Sequence, residues 1–212
     1  MTVESKLREQ VCSAGASLFN RGLTHGSTGN ISVALPDGGW LMTPTGASLG
    51  TLDPARLSKL DATGKLVGGD APTKEAFLHT TMYDKRPKSG AVVHLHSTHS
   101  VAVSCLDGID HGNCLPPITA YYVMRIGTLP LVPYFPPGDA TLADAVGKLA
   151  GKHHAVLLAN HGPVVAGSSL SAAQDAIEEL EETARLFLML RHEKLKLLNP
   201  AQIADLQRRY PS

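Results

Sequence analysis

The sequence predicts an α/β fold in which helices cover a mixed or antiparallel central sheet. Three observations predict it. Short apolar runs of strand character alternate along the chain with stretches of helical spacing. The turn Pro36-Asp37-Gly38-Gly39 joins two neighbouring strands as a hairpin, which argues against a purely parallel sheet. The chain has 212 residues, 43% of them apolar, which suits one domain with a substantial core.

In chain order, Leu7, Val11, Ala14 and Leu18 recur at helical spacing, so residues 2–21 form a helix that stops near Gly22. A polar, glycine-rich turn, Thr24-His25-Gly26-Ser27-Thr28-Gly29-Asn30, leads into a strand from Ile31 to Leu35. The hairpin returns through Trp40-Leu41-Met42-Thr43, and a second turn follows at Pro44-Thr45-Gly46. After a loop-rich stretch, Thr73 is the expected N-cap of a helix reaching about Lys85. Ala91 to His96 is a strand, Thr98 to Leu106 a short helix, and Leu129 to Tyr134 strand-like. Thr141 to Ala150 is a helix with Gly151 near its end. Ala155 to Ala166 is a strand pair interrupted at His161-Gly162-Pro163, and Ser171-Ala172-Ala173-Gln174 reads as a capping box opening a long helix to about Lys196. With no repeat, low-complexity tract or long linker, residues 1–212 are expected to form a single domain.

Charge narrows the partners. Nineteen basic residues balance nineteen acidic ones, so the surface has no net field to attract a nucleic acid or an anionic membrane. Any bound anion must be small and held locally. The apolar stretches are too short to span a bilayer, and MTVESKLREQ reads as the start of a helix rather than a secretory signal. Cys12, Cys105 and Cys114 cannot all pair and lack metal-type spacing, which fits reduced thiols in the cytoplasm.

The chemistry centres on His94-Leu95-His96, at the end of an apolar strand-like run. Residues two apart on a strand share a face, so these imidazoles form half of a transition-metal site. His161 joins them only if its strand lies alongside. Glu75, in the first turn of its helix, is accounted for by the helix dipole alone, but beside a metal it could occupy the open coordination position and move protons. Three histidines and a carboxylate suit zinc or a similar first-row ion. His99, His111, His153 and His154 lack such a setting and are expected to be ordinary hydrogen-bonded side chains. Ser27-Thr28-Gly29-Asn30 and Pro44-Thr45-Gly46 offer hydroxyls and glycine-freed N–H groups, and the helix start at Thr73-Lys74 adds partial positive charge. Each alone is an ordinary turn; together with a metal they suggest a phosphate pocket.

These motifs, in this order and spacing, resemble the class II aldolase/adducin family over roughly residues 5–195. The resemblance implies a three-layer α/β/α sandwich with a mainly antiparallel sheet, assembled as a homotetramer with active sites at subunit interfaces. It implies His94, His96 and His161 as ligands of one zinc ion per subunit, another divalent metal being an alternative. Glu75 would be the catalytic acid/base that also touches the metal. Ser27, Gly29, Asn30, Thr45, Gly46, Thr73 and Lys74 would bind the substrate phosphate. The family's 4-epimerases place Asp where Glu75 stands here, and its sugar-phosphate aldolases show Ser-Ser where Thr73-Lys74 stands. Thr-His-Gly-Ser-Thr-Gly-Asn and His-Leu-His-Ser-Thr-His-Ser resemble instead the 3-oxo-tetronate 4-phosphate decarboxylases. The expected reaction is decarboxylation to dihydroxyacetone phosphate through a zinc-stabilised enediolate. The alternatives are a fuculose-phosphate-type aldolase, a metallohydrolase, and a non-enzymatic adducin-like association domain. Tyr121 and Tyr122 stand near the place of the tyrosine that serves the family's aldolases as proton donor.

Overall fold

A computed structural model describes residues 2–136 and 138–210. Eight strands form one sheet: β1 (Asn30–Ala34), β2 (Trp40–Met42), β3 (Ser58–Leu60), β4 (Leu66–Gly68), β5 (Ala91–His94), β6 (Leu131–Val132), β7 (Ala155–Leu158) and β8 (Gly162–Gly167). Their spatial order is β4-β3-β2-β1-β5-β8-β7-β6. Every pairing is antiparallel except β6 with β7, so the sheet is mixed but mostly antiparallel.

Alternation along the central strands divides the core into two layers. Ile31 and Val33 of β1, Val93 of β5 and Val165 of β8 pack against α1 (Val3–Asn20) and α6 (Leu170–Leu190). α3 (Thr98–Ser104) and α4 (Ala120–Arg125) close the same side. Val92, Val156 and Val164 face the opposite way, onto α2 (Ala76–Lys85) and α5 (Thr141–Ala150). Helices on both faces make the three-layer α/β/α sandwich expected from the sequence. α7 (Pro200–Arg209) contacts α4 and buries none of its residues.

Several boundaries differ from the expectations. α2 starts at Ala76 with Glu75, not Thr73, as its N-cap residue. Thr73 is drawn into the sheet instead: its N–H donates to Thr43 O at 3.1 Å, and its Oγ1 accepts the Glu75 N–H at 3.2 Å. The long helix begins at Leu170, capped by Ser169, whose side chain accepts the Ala172 N–H at 3.1 Å. Leu170 packs against the core and draws the helix start forward, which places Ser171 inside the helix rather than at a capping box. That helix stops at Leu190, because the polar residues after it have no core to cover. The strand expected over Leu129–Tyr134 shrinks to Leu131–Val132, since the Leu129 backbone is engaged by Asn113 and Cys114 instead. The break in the later strand pair falls at Ala159-Asn160-His161, with Asn160 in the left-handed region (φ 56°), while Pro163 lies within β8.

Candidate metal centre and anion cleft

Strand pairing brings the histidines together. β5 lies between β1 and β8, which sets His94 opposite Asn30 on one side and Val164 on the other. Leu95 is fully buried in the α1/α6 layer, so His94 and His96 on either side of it turn the opposite way. His161, just before β8, reaches the same point from the turn after β7. The three Nε2 atoms are 3.1 Å (His94–His96), 3.3 Å (His94–His161) and 3.0 Å (His96–His161) apart. Glu75 Oε1 lies 3.3 Å from His161 Nε2, and its Oε2 lies 3.5 Å from His94 Nε2.

Two glycines permit this convergence. A Cβ at Gly162 would stand 2.3 Å from Leu95 O, and one at Gly29 would stand 3.1 Å from His94 O. Each glycine lets a neighbouring segment close on the backbone of the histidine strand.

The four groups form a set whose ligand atoms all lie within 4.8 Å of one another. They fit a metal on chemical grounds. His94 Nδ1 is 2.9 Å from Pro163 O, an acceptor only, so its proton sits on Nδ1 and Nε2 is a bare lone pair. Burial pushes His96 down to about 3 and His161 down to about 4, keeping both imidazoles neutral and able to ligate. Tetrahedral Zn–N bonds of about 2.0–2.1 Å would space three nitrogens about 3.3–3.4 Å apart, close to the observed triangle. Burial tends to raise the Glu75 carboxyl, but facing His94, the Asn30 amide and His161 outweigh it and hold it below the usual carboxylate range.

The centre forms one wall of a cavity of about 850 Å³. Ser27, Gly29 and Asn30 line it from one turn, Thr45 and Gly46 from another, and Thr73 and Lys74 from the approach to α2. All seven residues expected at an anion site therefore meet in one cleft with His96, His161 and Glu75, and His94 is buried behind them. Lys74 forms no ion pair among the described residues. Tyr121 and Tyr122 are not brought there within this chain: Tyr121 is exposed beside Arg21 and Arg125, and Tyr122 is buried with its hydroxyl 3.3 Å from Asn113 Oδ1. Successive residues of α4 point about 100° apart, and neither tyrosine lines the cleft. Tyr134, Phe135 and His25 line the cavity but were not singled out from sequence. The first two follow a two-residue strand with no periodic pattern to place them. His25 lay within a motif read for its hydroxyls and glycines.

Comparison with known proteins agrees with this geometry. The chain is 50% identical over 205 residues, 97% of both chains, to a 3-oxo-tetronate 4-phosphate decarboxylase of Escherichia coli K12. It is 32% identical over 186 residues to an L-fuculose phosphate aldolase of E. coli CFT073, covering 87% of this chain and 83% of the relative. The crystal structure of E. coli YgbL superposes with a TM-score of 0.95 at 49% identity, covering 97% of this chain and 100% of that one. Residues 9–188 match the model of the class II aldolase and adducin N-terminal domain, and the chain belongs to that family.

Proposed function

We propose that this protein is a metal-dependent carboxy-lyase that converts 3-oxo-tetronate 4-phosphate into dihydroxyacetone phosphate and carbon dioxide. The observation that carries the reading is the 50% identity to a decarboxylase of that name across 97% of both chains. The cleft supplies matching chemistry: a His₃ set with a carboxylate, beside two hydroxyl- and glycine-bearing turns. His94, His96 and His161 would hold zinc or a similar divalent ion, with Glu75 adjacent. Bound there, such an ion supplies Lewis-acid charge for the negative oxygens that develop on the substrate.

The remaining work falls to the chain's own residues. Ser27, Gly29, Asn30, Thr45, Gly46 and Thr73 bind the phosphate with hydroxyl, amide and backbone N–H groups, and Lys74 adds a cation without a competing carboxylate. Binding the non-reacting end fixes the orientation of the C1–C2 bond. As that bond breaks, carbon dioxide departs and its electron pair remains as an enolate spanning C2 and C3. Glu75, ionised at rest, takes up one proton from solvent in each turnover and delivers it to C2, giving dihydroxyacetone phosphate.

The protein is proposed to assemble as a homotetramer with sites at subunit interfaces; exposed Tyr121, Met189 and Tyr210 offer surface that such assembly would cover. No helix among the described residues is long and apolar enough to cross a membrane. Three free cysteines fit a cytoplasmic location. The deciding assay offers the purified protein 3-oxo-tetronate 4-phosphate, fuculose 1-phosphate and ribulose 5-phosphate, following carbon dioxide and dihydroxyacetone phosphate. Release of both from the first substrate alone is expected. Faster cleavage of fuculose 1-phosphate would assign the chain to the aldolases. Glu75→Gln should keep the metal and lose about 10²–10⁴-fold in kcat, the usual range for a general acid.

A further inference from the structure

We propose that His79, Ser32 and Tyr83 are positioning residues: a buried one-way hydrogen-bond ladder that fixes the Asn30 amide and, through it, reserves one oxygen of Glu75 for proton transfer. The proposal rests on the reading of Glu75 as the proton carrier.

The ladder is built from two periodicities that match. Glu75, His79 and Tyr83 are four residues apart along the start and buried face of α2. Asn30 and Ser32 are two apart on β1, facing that helix. Asn30 Nδ2 donates to Glu75 Oε2 at 2.8 Å, and His79 Nε2 meets Asn30 Oδ1. Ser32 Oγ lies 2.7 Å from His79 Nδ1 and 2.9 Å from the Tyr83 hydroxyl. His79 and Ser32 are fully buried, and Asn30 and Tyr83 are each 6% exposed, so bulk water has little access to the ladder.

The carboxylate fixes every direction in it. Glu75 can only accept, so Asn30 must turn its NH₂ group toward it and its carbonyl oxygen toward His79. That oxygen also only accepts, so His79 must carry its proton on Nε2, leaving Nδ1 as an acceptor. Ser32 must then donate to Nδ1, and Tyr83 must donate to Ser32. Burial pushes His79 down to about 3, so the ring is neutral and has one proton to place.

The ladder lies in a layer otherwise filled by Leu78, Met82 and Val92. Burying four polar side chains there is costly unless all are satisfied, and an apolar replacement of similar volume would serve packing equally well. What an apolar set cannot do is hold the Asn30 amide in one orientation. A flipped amide would set its oxygen against Glu75 and drive the carboxylate from its place between His94 and His161. With Oε2 held by Asn30, Oε1 is the oxygen free to carry the proton.

The test has two parts on the metal-loaded protein. In the wild type, ¹⁵N NMR of the histidine rings should find His79 with its proton on Nε2; a proton on Nδ1 overturns the ladder. In kinetics, His79→Leu should lower kcat about 10–100-fold while KM stays within about threefold and metal content is unchanged, the loss reflecting part of an acid–base contribution. His79→Gln keeps a donor toward Asn30 and should recover most of the activity. If His79→Leu does not fold, Tyr83→Phe replaces it, with a smaller kcat loss at constant KM. A folded, metal-loaded His79→Leu or Tyr83→Phe protein with wild-type kcat overturns the proposal, as does equal impairment in His79→Leu and His79→Gln. Glu75→Gln separates the two readings: if that protein is fully active, the proton-transfer role of Glu75 is wrong, whatever tautomer His79 shows.

Discussion

Removing His161 should reverse its effect on stability according to whether metal is present. Three Nε2 atoms stand within 3.3 Å of one another, and His94 Nε2 is bare because Nδ1 is spent on Pro163 O. Without a cation, rings held this way crowd their Nε2 atoms together, while the triangle is already within about 0.4 Å of a tetrahedral zinc edge. Binding therefore needs little reorganisation, and metal stabilises the folded state alone. At free zinc about 100-fold above Kd the gain is about 2.7 kcal/mol. For a chain of this size, about 2–4 °C accompanies each kcal/mol, so Tm should rise by about 5–11 °C over the chelator-treated protein. His161 lines the open cleft, so His161→Ala widens that cleft rather than leaving a closed cavity. In chelator it should match or slightly exceed wild-type Tm; in zinc it should lose most of the gain. Calorimetry on both proteins in both conditions reads this directly. A wild-type Tm indifferent to zinc, or an equal zinc shift in His161→Ala, would refute the metal centre.

Gly162→Ala would force a Cβ to within 2.3 Å of Leu95 O, so β8 must retreat from β5. Overpacking of this kind costs about 1–3 kcal/mol, and metal affinity measured by titration should fall with it; unchanged affinity would mean the close approach does not build the site. Lys74→Ala should raise KM by about tenfold with kcat nearly constant, the pattern for lost uniform binding; wild-type kinetics would remove Lys74 from the phosphate end. In metal-free protein, His79 binds its proton only near pH 3 when folded but near 6.5 when unfolded. The unfolded state thus binds more protons between these values, so this residue's contribution is full above pH 6.5 and is lost as pH falls toward 3. Urea midpoints at pH 4–7 should decline less steeply in His79→Gln, whose side chain does not titrate; parallel slopes would contradict the buried neutral ring.

Legibility followed the range of the interactions involved. His94 and His96 were readable because a two-residue period fixes their common face before any tertiary contact. His161 was readable as a candidate only, since its place depends on β8 pairing with β5, sixty-odd residues away in the chain. Glu75 alone looked like a helix-terminus carboxylate; the expected first-turn position became an N-cap once Thr73 paired with Thr43. β3 and β4 escaped notice because each is three residues long, with exposed Leu66 and Val67 and no apolar alternation. α7 did carry a start signal: Asn199 caps it, Gln202 returns the bond and Pro200 follows the cap. It buries nothing, however, so no core-facing stripe drew attention to it. The ladder residues were missed for another reason. Glu75-His79-Tyr83 at four-residue spacing and Asn30-Ser32 at two-residue spacing are visible in the sequence. Only the packing of α2 over β1 shows that the two patterns interlock.

The same geometry bears on which group leaves. Decarboxylation and retro-aldol cleavage produce the same enolate, so the proposed metal ligands and phosphate turns would serve either reaction equally. They differ in protons: carbon dioxide leaves without one, whereas the aldolase reaction also moves a proton at the aldehyde oxygen. Among the described residues lining the cleft, Glu75 is the one carboxylate, and its Oε2 is engaged by Asn30. Under the proposed mechanism that leaves one oxygen to deliver one proton to C2. Tyr122 is spent on Asn113 in the core, and Tyr121 lies on another face of this chain. Among the described residues, Tyr134 is the phenol on the cavity wall, and it is more than half exposed. A site with a single free proton-carrying oxygen suits a reaction that needs a single proton. It is incomplete for an aldolase unless Tyr134, or a neighbouring subunit's tyrosine, supplies the second. Tyr134→Phe therefore divides the readings: decarboxylation should keep its kcat, and a collapse of kcat would return the chain to aldol chemistry.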